Sequence, residues 1–163
     1  MSRIAIVGNS GSGKSTLAKR LELPHLDLDT LAWQPDVAPP TRRLLADSAA
    51  AIHAFTDRHD AWVVEGCYAD LAALVLPRAT RLVLVAPGVD ACIANARARP
   101  WEPHKYASRE AQDANLEMLI DWIRAYATRA DACSLRAHRE LFDRFAGDKV
   151  ELTTRDAIAA YRA

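Results

Sequence analysis

The stretch Arg3-Ile-Ala-Ile-Val7-Gly8-Asn9-Ser10-Gly11-Ser12-Gly13-Lys14-Ser15-Thr16 decides the fold. It joins an unbroken apolar run, the pattern of a strand covered on both faces, to the spacing G-x-x-x-x-G-K-[ST]. Each part of that spacing has a physical task. Gly8, Gly11 and Gly13 let the backbone turn tightly and point its N–H groups inward at phosphate oxygens. The Lys14 ammonium reaches the β and γ phosphates, and the Ser15 hydroxyl is a ligand for Mg2+. A helix over 14–22 begins at the same point, so its free amides and positive dipole end face the anion. Residues 8–16 are therefore read as the site of a nucleoside triphosphate with Mg2+, and Lys14 is expected to face solvent until phosphates arrive.

Working outward, the chain has 163 residues, half of them hydrophobic, enough for one core, and 1–163 is read as one domain. Lys plus Arg and Asp plus Glu number 21 each. A formal charge of zero removes the positive field that drives non-specific nucleic-acid binding, so no nucleic-acid partner is expected. Residues 1–7 already form a strand of the nucleotide site, which argues against a cleaved leader, and no apolar run has the length of a membrane span. The expectation is a cytoplasmic protein without a membrane partner. Cys67, Cys92 and Cys133 are widely spaced and read as reduced thiols. Cys67, following Glu65-Gly66, is either close to the site or an ordinary small buried residue.

Apolar runs at 3–7, 25–28, 61–65, 81–86 and 149–153 read as strands, with helical patterns between them. One helix is expected over 41–58 with Thr41 as N-cap and Leu44, Leu45, Ser48, Ile52 and Phe55 on one face. Others are expected over 89–98, after Ser108 with Leu116, Leu119, Ile120, Ile123 and Tyr126 as its stripe, and over 134–146 with Gly147 as C-cap. Strands alternating with helices imply an α/β doubly wound sheet. Pro100-Trp-Glu-Pro-His-Lys-Tyr106 breaks any helix and reads as a loop placed to act as a lid.

Ligands in such sheets bind beyond the carboxyl ends of the strands. There the second strand offers Asp27 and Asp29 and the third offers Glu65-Gly66. Three carboxylates beside a phosphate loop repel one another unless a cation joins them, which Mg2+ does. Each also has a plainer reading: Asp29-Thr30 as the cap of the next helix, Glu65 as the partner of a surface base. Trp33, Trp101 and Tyr106 either stack on a flat ligand or serve packing. Arg42 and Arg43 either mark an anionic group on an acceptor or solubilise a helix surface.

Gly8 to Thr16, Pro24-His-Leu-Asp-Leu-Asp29-Thr-Leu-Ala-Trp33 and Trp62-Val-Val-Glu65-Gly66-Cys-Tyr68 together resemble the small P-loop kinase-like proteins of the adenylate kinase and shikimate kinase type. Within that group they look most like the bacterial FlaR-like proteins labelled DNA topology modulation. The resemblance implies a P-loop NTPase fold, three-layer α/β/α, with a five-stranded parallel sheet in the order 2-3-1-4-5. It also implies an acceptor region at about 30–60, a lid at about 97–110, and ATP with Mg2+ as cofactors. Asp27 and Ser15 would then lie at the metal, and Asp29, Trp33, Glu65 and Gly66 at the acceptor. Lys14, Asp29, Arg97 and Arg99 would be catalytic, the two arginines as lid residues. Lys105 and Arg109 would be secondary lid candidates, and Thr153 to Arg155 would lie near adenine. Glu65-Gly-Cys-Tyr-Ala-Asp70 has neither the Arg by which adenylate kinases grip a monophosphate nor the glycine triplet of shikimate kinases.

Two functions follow as expectations. The first is transfer of the γ-phosphoryl group of ATP to a hydroxyl of a small nucleoside- or shikimate-like acceptor. The second is a nucleotide-dependent switch or accessory ATPase acting through a protein partner. No Asn-Lys-x-Asp guanine-reading run is present.

Overall fold

A computed structural model describes all residues, Met1–Ala163. The strands are β1 (Arg3–Gly8), β2 (His25–Asp27), β3 (Trp62–Gly66), β4 (Arg81–Val85) and β5 (Asp148–Leu152). All neighbours pair in parallel, in the order β2-β3-β1-β4-β5. The helices are α1 (Lys14–Arg20), α2 (Asp29–Ala32), α3 (Leu45–Arg58), α4 (Ala69–Val75), α5 (Val89–Ala98), α6 (Arg109–Arg124), α7 (Leu135–Arg144) and α8 (Arg155–Ala160). The architecture is three-layer α/β/α.

The apolar runs lack alternation because both faces of the sheet are covered. Ala5, Val7, Val64, Leu82 and Leu84 join Leu28, Ile52, Trp62 and Leu71 in one buried cluster. Ile4, Ile6, Val63, Val83 and Val85 join Leu17, Leu152 and Ile158 in the other. Strand parity therefore sends Val63 and Glu65 to the α1 side, and this places a carboxylate under the phosphate loop. No helix is long and apolar enough to cross a membrane.

Several boundaries differ from expectation. The helix expected from Thr41 begins at Leu45, with Leu44 as its cap residue. Residues 41–43 are drawn instead into an antiparallel bridge between Trp33 and Arg42, with the Gln34 amide donating to Thr41 O. Ser48 and Ile52 are buried as the stripe requires, but Leu44 and Leu45 stand exposed. The helix expected over 134–146 ends at Arg144, so Phe145 rather than Gly147 closes it. Ser108 and Ser134 do cap their helices, accepting from Ala111 N and Ala137 N.

His138 of α7 is fully buried and ties that helix to the end of β3. Its Nε2 lies 2.7 Å from Cys67 O, which only accepts, so Nε2 carries the proton. Nδ1 then accepts from the Tyr126 hydroxyl at 2.7 Å. Burial pulls this imidazole from 6.5 down to about 4. The unfolded chain thus takes up the proton first as pH falls. The stability that His138 confers is fully present above pH 6.5 and lost on reaching about pH 4. Asp27 opposes this trend, because its raised pKa favours the folded state as pH falls. The expected result is that the stability difference between wild type and His138→Gln shrinks by about 3 kcal/mol between pH 7 and pH 4. Urea unfolding of both proteins across that range checks it, and parallel curves would refute the assignment.

Candidate functional site

The phosphate loop is built by close approach. Gly11 has φ +74°, and a Cβ there would lie 2.4 Å from Cys92 O of α5, so only glycine fits. Two asparagines, Asn9 within the loop and Asn95 of α5, tie it to the neighbouring helices. Asn95 Nδ2 of α5 donates to Gly11 O at 2.8 Å, and Asn95 Oδ1 accepts from Arg155 at 3.1 Å. Asn9 Nδ2 donates to Ile123 O at 3.1 Å. Asn9 Oδ1 and Ser12 Oγ are buried without a partner.

Lys14 differs from expectation. Its side chain is buried rather than facing solvent, and the ammonium donates to Asn9 O at 2.8 Å. The loop's own carbonyl occupies the cation. Beside it Ser15 Oγ donates to Glu65 Oε1 at 2.7 Å. Glu65 is only 2% exposed, and His25 Nε2 stands 3.3 Å from the same oxygen. The parallel register sets Asp27 opposite Glu65 across β2 and β3. Burial, then the charges of Glu65 and Asp29, push the Asp27 carboxyl up to about 6.

Asp27 and Asp29 divide the work that the sequence leaves open. The α2 amide is capped by Asp27, whose Oδ1 accepts from Asp29 N at 2.9 Å. The Asp29 side chain instead meets the irregular segment 99–106: Lys105 Nζ donates to Asp29 Oδ2 at 3.1 Å and lies 3.9 Å from Asp27 Oδ2. Burial pulls the Lys105 ammonium down, but Asp29 and Asp27 outweigh it and its pKa rises. The segment carrying Lys105 is fastened to α6, where Gln112 accepts from Glu102 N at 2.8 Å and donates to Pro100 O at 3.1 Å. Asn115 donates to the Tyr106 hydroxyl at 2.9 Å.

The two arginines read as lid residues lie further out. Arg97 pairs with Glu117 at 3.7 Å, and Arg99 with Glu102 at 3.3 Å. Both line a pocket between α5 and α6 with Tyr106, Gln112 and Leu116. Trp33, 42% exposed, stands beside Tyr68, its Nε1 donating to the Tyr68 hydroxyl at 2.9 Å. Gly66 packs against Leu28, where a Cβ would come within 2.8 Å of that side chain. Asn95, Tyr68 and Asp70 were not anticipated as site residues. Only Asn95 had a discernible signal, a polar residue four positions before Arg99 on a helix following the fourth strand.

The donor set suits Mg2+. Ser15, Asp27 and Glu65 offer hard oxygens, and the crowding that raises Asp27 is relieved by a cation. No group of three or more His, Cys, Asp or Glu side chains is arranged to hold a metal alone. Mg2+ commonly keeps waters and shares one or two carboxylates with substrate phosphates. The unpartnered Ser12 hydroxyl, buried inside the loop, likewise suits a phosphate oxygen.

Neither a protein-family model nor a curated protein matches this sequence. Solved structures do resemble it. A gluconokinase from Sinorhizobium meliloti 1021 is 16% identical, with 97% of this chain and 85% of that one covered and a TM-score of 0.50. TT1252 from Thermus thermophilus is 20% identical over 96% and 91% of the two chains, with a TM-score of 0.47. A shikimate kinase from Acinetobacter baumannii, solved with shikimate, is 17% identical over 86% and 91%, with a TM-score of 0.42. At these identities the likeness concerns the fold alone, a three-layer α/β/α arrangement around a five-stranded parallel sheet.

Asn95→Ala tests the bracing of the loop. Losing the bond to Gly11 O, of the order of 1 kcal/mol, should weaken binding of a non-hydrolysable ATP analogue by roughly five- to tenfold while circular dichroism stays native. Calorimetric titration measures it, and unchanged affinity would show that backbone packing alone shapes the loop.

Proposed function

We propose that the protein is a phosphotransferase that moves the γ-phosphoryl group of ATP to a hydroxyl of a small acceptor, with Mg2+. The observation that carries this reading is Lys105 reaching from the 99–106 segment to Asp29, beside the phosphate loop. A loop that only senses nucleotide has no need of a lid seated on a second carboxylate. The resemblance to FlaR-like proteins belongs to the same proposal and rests on the motifs alone. So do a cytoplasmic location, the absence of a membrane partner, and the absence of a nucleic-acid partner, the last of which the balanced charge supports.

In this reading Lys14 exchanges Asn9 O for phosphate oxygens, since a charged acceptor outcompetes a neutral carbonyl. Backbone amides of residues 8–16 hold the remaining phosphate charge. Ser15, Asp27 and Glu65 would hold Mg2+, which would neutralise charge on the phosphates. Asp29 orients the acceptor hydroxyl and takes its proton as the new O–P bond forms. The 99–106 segment keeps water out, which favours the acceptor over hydrolysis. Arg97 and Arg99 serve as lid arginines once nucleotide draws that segment inward.

Three substitutions test these roles. Lys14→Ala should abolish transfer and keep the native circular-dichroism spectrum, since its one bond is to a loop carbonyl. Ser15→Ala should raise the Mg2+ concentration needed for nucleotide binding more than it weakens metal-free binding. Asp29→Asn should lower kcat by roughly a hundredfold or more with ATP affinity near wild type. Full activity of Asp29→Asn with the true acceptor would remove it from catalysis. Tight ATP binding with no acceptor-dependent ADP release, together with a protein captured in a nucleotide-dependent way, would favour the switch instead.

A further inference from the structure

Three cations around the mouth, Lys105, Arg99 and Arg42, each already carry a carboxylate. Lys105 Nζ lies 3.1 Å from Asp29, 3.7 Å from Glu102 and 3.9 Å from Asp27. Arg99 pairs with Glu102 at 3.3 Å. Arg42, which the sequence offers as an anion-binding group or a solubilising charge, is held in an ion pair: its Nη2 donates to Asp70 Oδ2 at 2.8 Å and its Nε donates to Ala32 O at 3.1 Å. Three cations thus face four carboxylates, Asp27, Asp29, Asp70 and Glu102, with buried Glu65 behind them. Arg43 has no ion pair, and its backbone amide donates to Ala32 O at 3.0 Å.

The aromatic wall beside this rim is fixed in place. Trp33 remains 42% exposed, and its indole N–H is held by the Tyr68 hydroxyl. The two rings meet edge to face at 79° with centroids 6.4 Å apart. The Arg42 guanidinium lies 4.9 Å from the Tyr68 ring centre and 5.9 Å from that of Trp33. A flat, partly open indole is therefore bordered by a guanidinium–carboxylate pair on one side and by Asp29 near the start of the same turn of chain.

Resting on the transfer reading above, we propose that the acceptor is an uncharged polyhydroxylated molecule, a sugar, cyclitol or nucleoside, rather than an acid or a phosphate ester. An acidic acceptor would bring an unpaired negative charge to a rim already short of cations, and desolvating it there is unfavourable. Hydroxyl groups meet the opposite situation. They donate to Asp70 and accept from Arg42, while the C–H face of the ring lies on Trp33. Lys105 engages Asp29 Oδ2, which leaves Oδ1 for the reacting hydroxyl. That hydroxyl oxygen forms the bond to the γ-phosphorus, and the bond from the γ-phosphorus to the β–γ bridging oxygen breaks. The electron pair leaves with ADP, and the hydroxyl proton passes to Asp29.

The test compares matched pairs on the whole protein with Mg·ATP: D-glucose against D-gluconate, adenosine against AMP, and methyl shikimate against shikimate. ADP release is followed for each, with calorimetric binding in the presence of a non-hydrolysable ATP analogue. Any pair that responds should favour its uncharged member by roughly tenfold or more in kcat/KM. Asp70→Asn, which frees the Arg42 charge, should narrow or reverse that ratio by improving KM for the acidic member. Preference of the wild type for acidic members overturns the proposal and leaves phosphoryl transfer standing, a result that needs no variant to fold. An acid preference that disappears in Arg43→Gln would identify the cation responsible. A protein that binds the analogue yet turns over no member of any pair, nor of a wider polyol library, overturns the transfer reading itself.

Discussion

Glu65 is a carboxylate almost wholly withdrawn from water, with the Ser15 hydroxyl at 2.7 Å and His25 at 3.3 Å. A charge in that position dictates its surroundings, because an unpaired buried ion is far costlier than an exposed one. Strand parity puts it there: Val63 and Glu65 share the face that packs on α1, and α1 begins at Lys14. Its field reaches Asp27 on the neighbouring strand and helps raise that carboxyl. The acidity of the mouth is thus inherited from one register, Asp27 against Glu65, rather than from a loop free to rearrange.

A second constraint comes from the phosphate loop. A loop that spends its amides on a ligand has few left to hold itself, so its shape must be imposed from outside. Asn9, Asn95 and the carbonyl contacts of α5 and α6 do this. Arg155 extends the brace to α8, so residues near both ends of the chain meet at one turn. The arrangement explains why α5 must approach Gly11 so closely, and why α5 and α6 share the small cluster of Cys92, Ala96 and Ile123.

The fold was legible because its signals are local or periodic. Ile4 to Val7 and Leu82 to Val85 announce covered strands by lacking alternation, and Gly8 to Ser15 announce the loop by spacing. Ser108 and Ser134 announce caps by residue type. What was illegible depends on chain segments that meet only after folding. The start of α3 moved because residue 42 found a strand-like partner in Trp33, and tertiary pairing overrides a capping preference. Lys105 and Asp29 are separated by 76 positions, and no spacing rule places a lysine from an irregular loop on the aspartate that begins α2. Glu65 stands between these cases. Its face follows from counting along β3, whereas its bond to Ser15 required knowing that α1 lies on that face.

The arrangement of charge at the mouth also bears on how the lid behaves before nucleotide binds. Lys105 is three-quarters buried, yet it sits among three acceptors rather than in water. Burial alone would favour its neutral form, but Asp29 and Asp27 hold the ammonium charged. In the proposed reading, the segment is therefore seated by the same carboxylates that would take a hydroxyl and a metal ion. Gln112 and Asn115 of α6 hold the far side of the segment independently of those carboxylates. Loss of the Lys105 contacts would consequently free the tip of the lid without releasing its base. On the proposed role of Asp29, an arriving hydroxyl would then share the carboxylate with Lys105 instead of having to dislodge the whole segment.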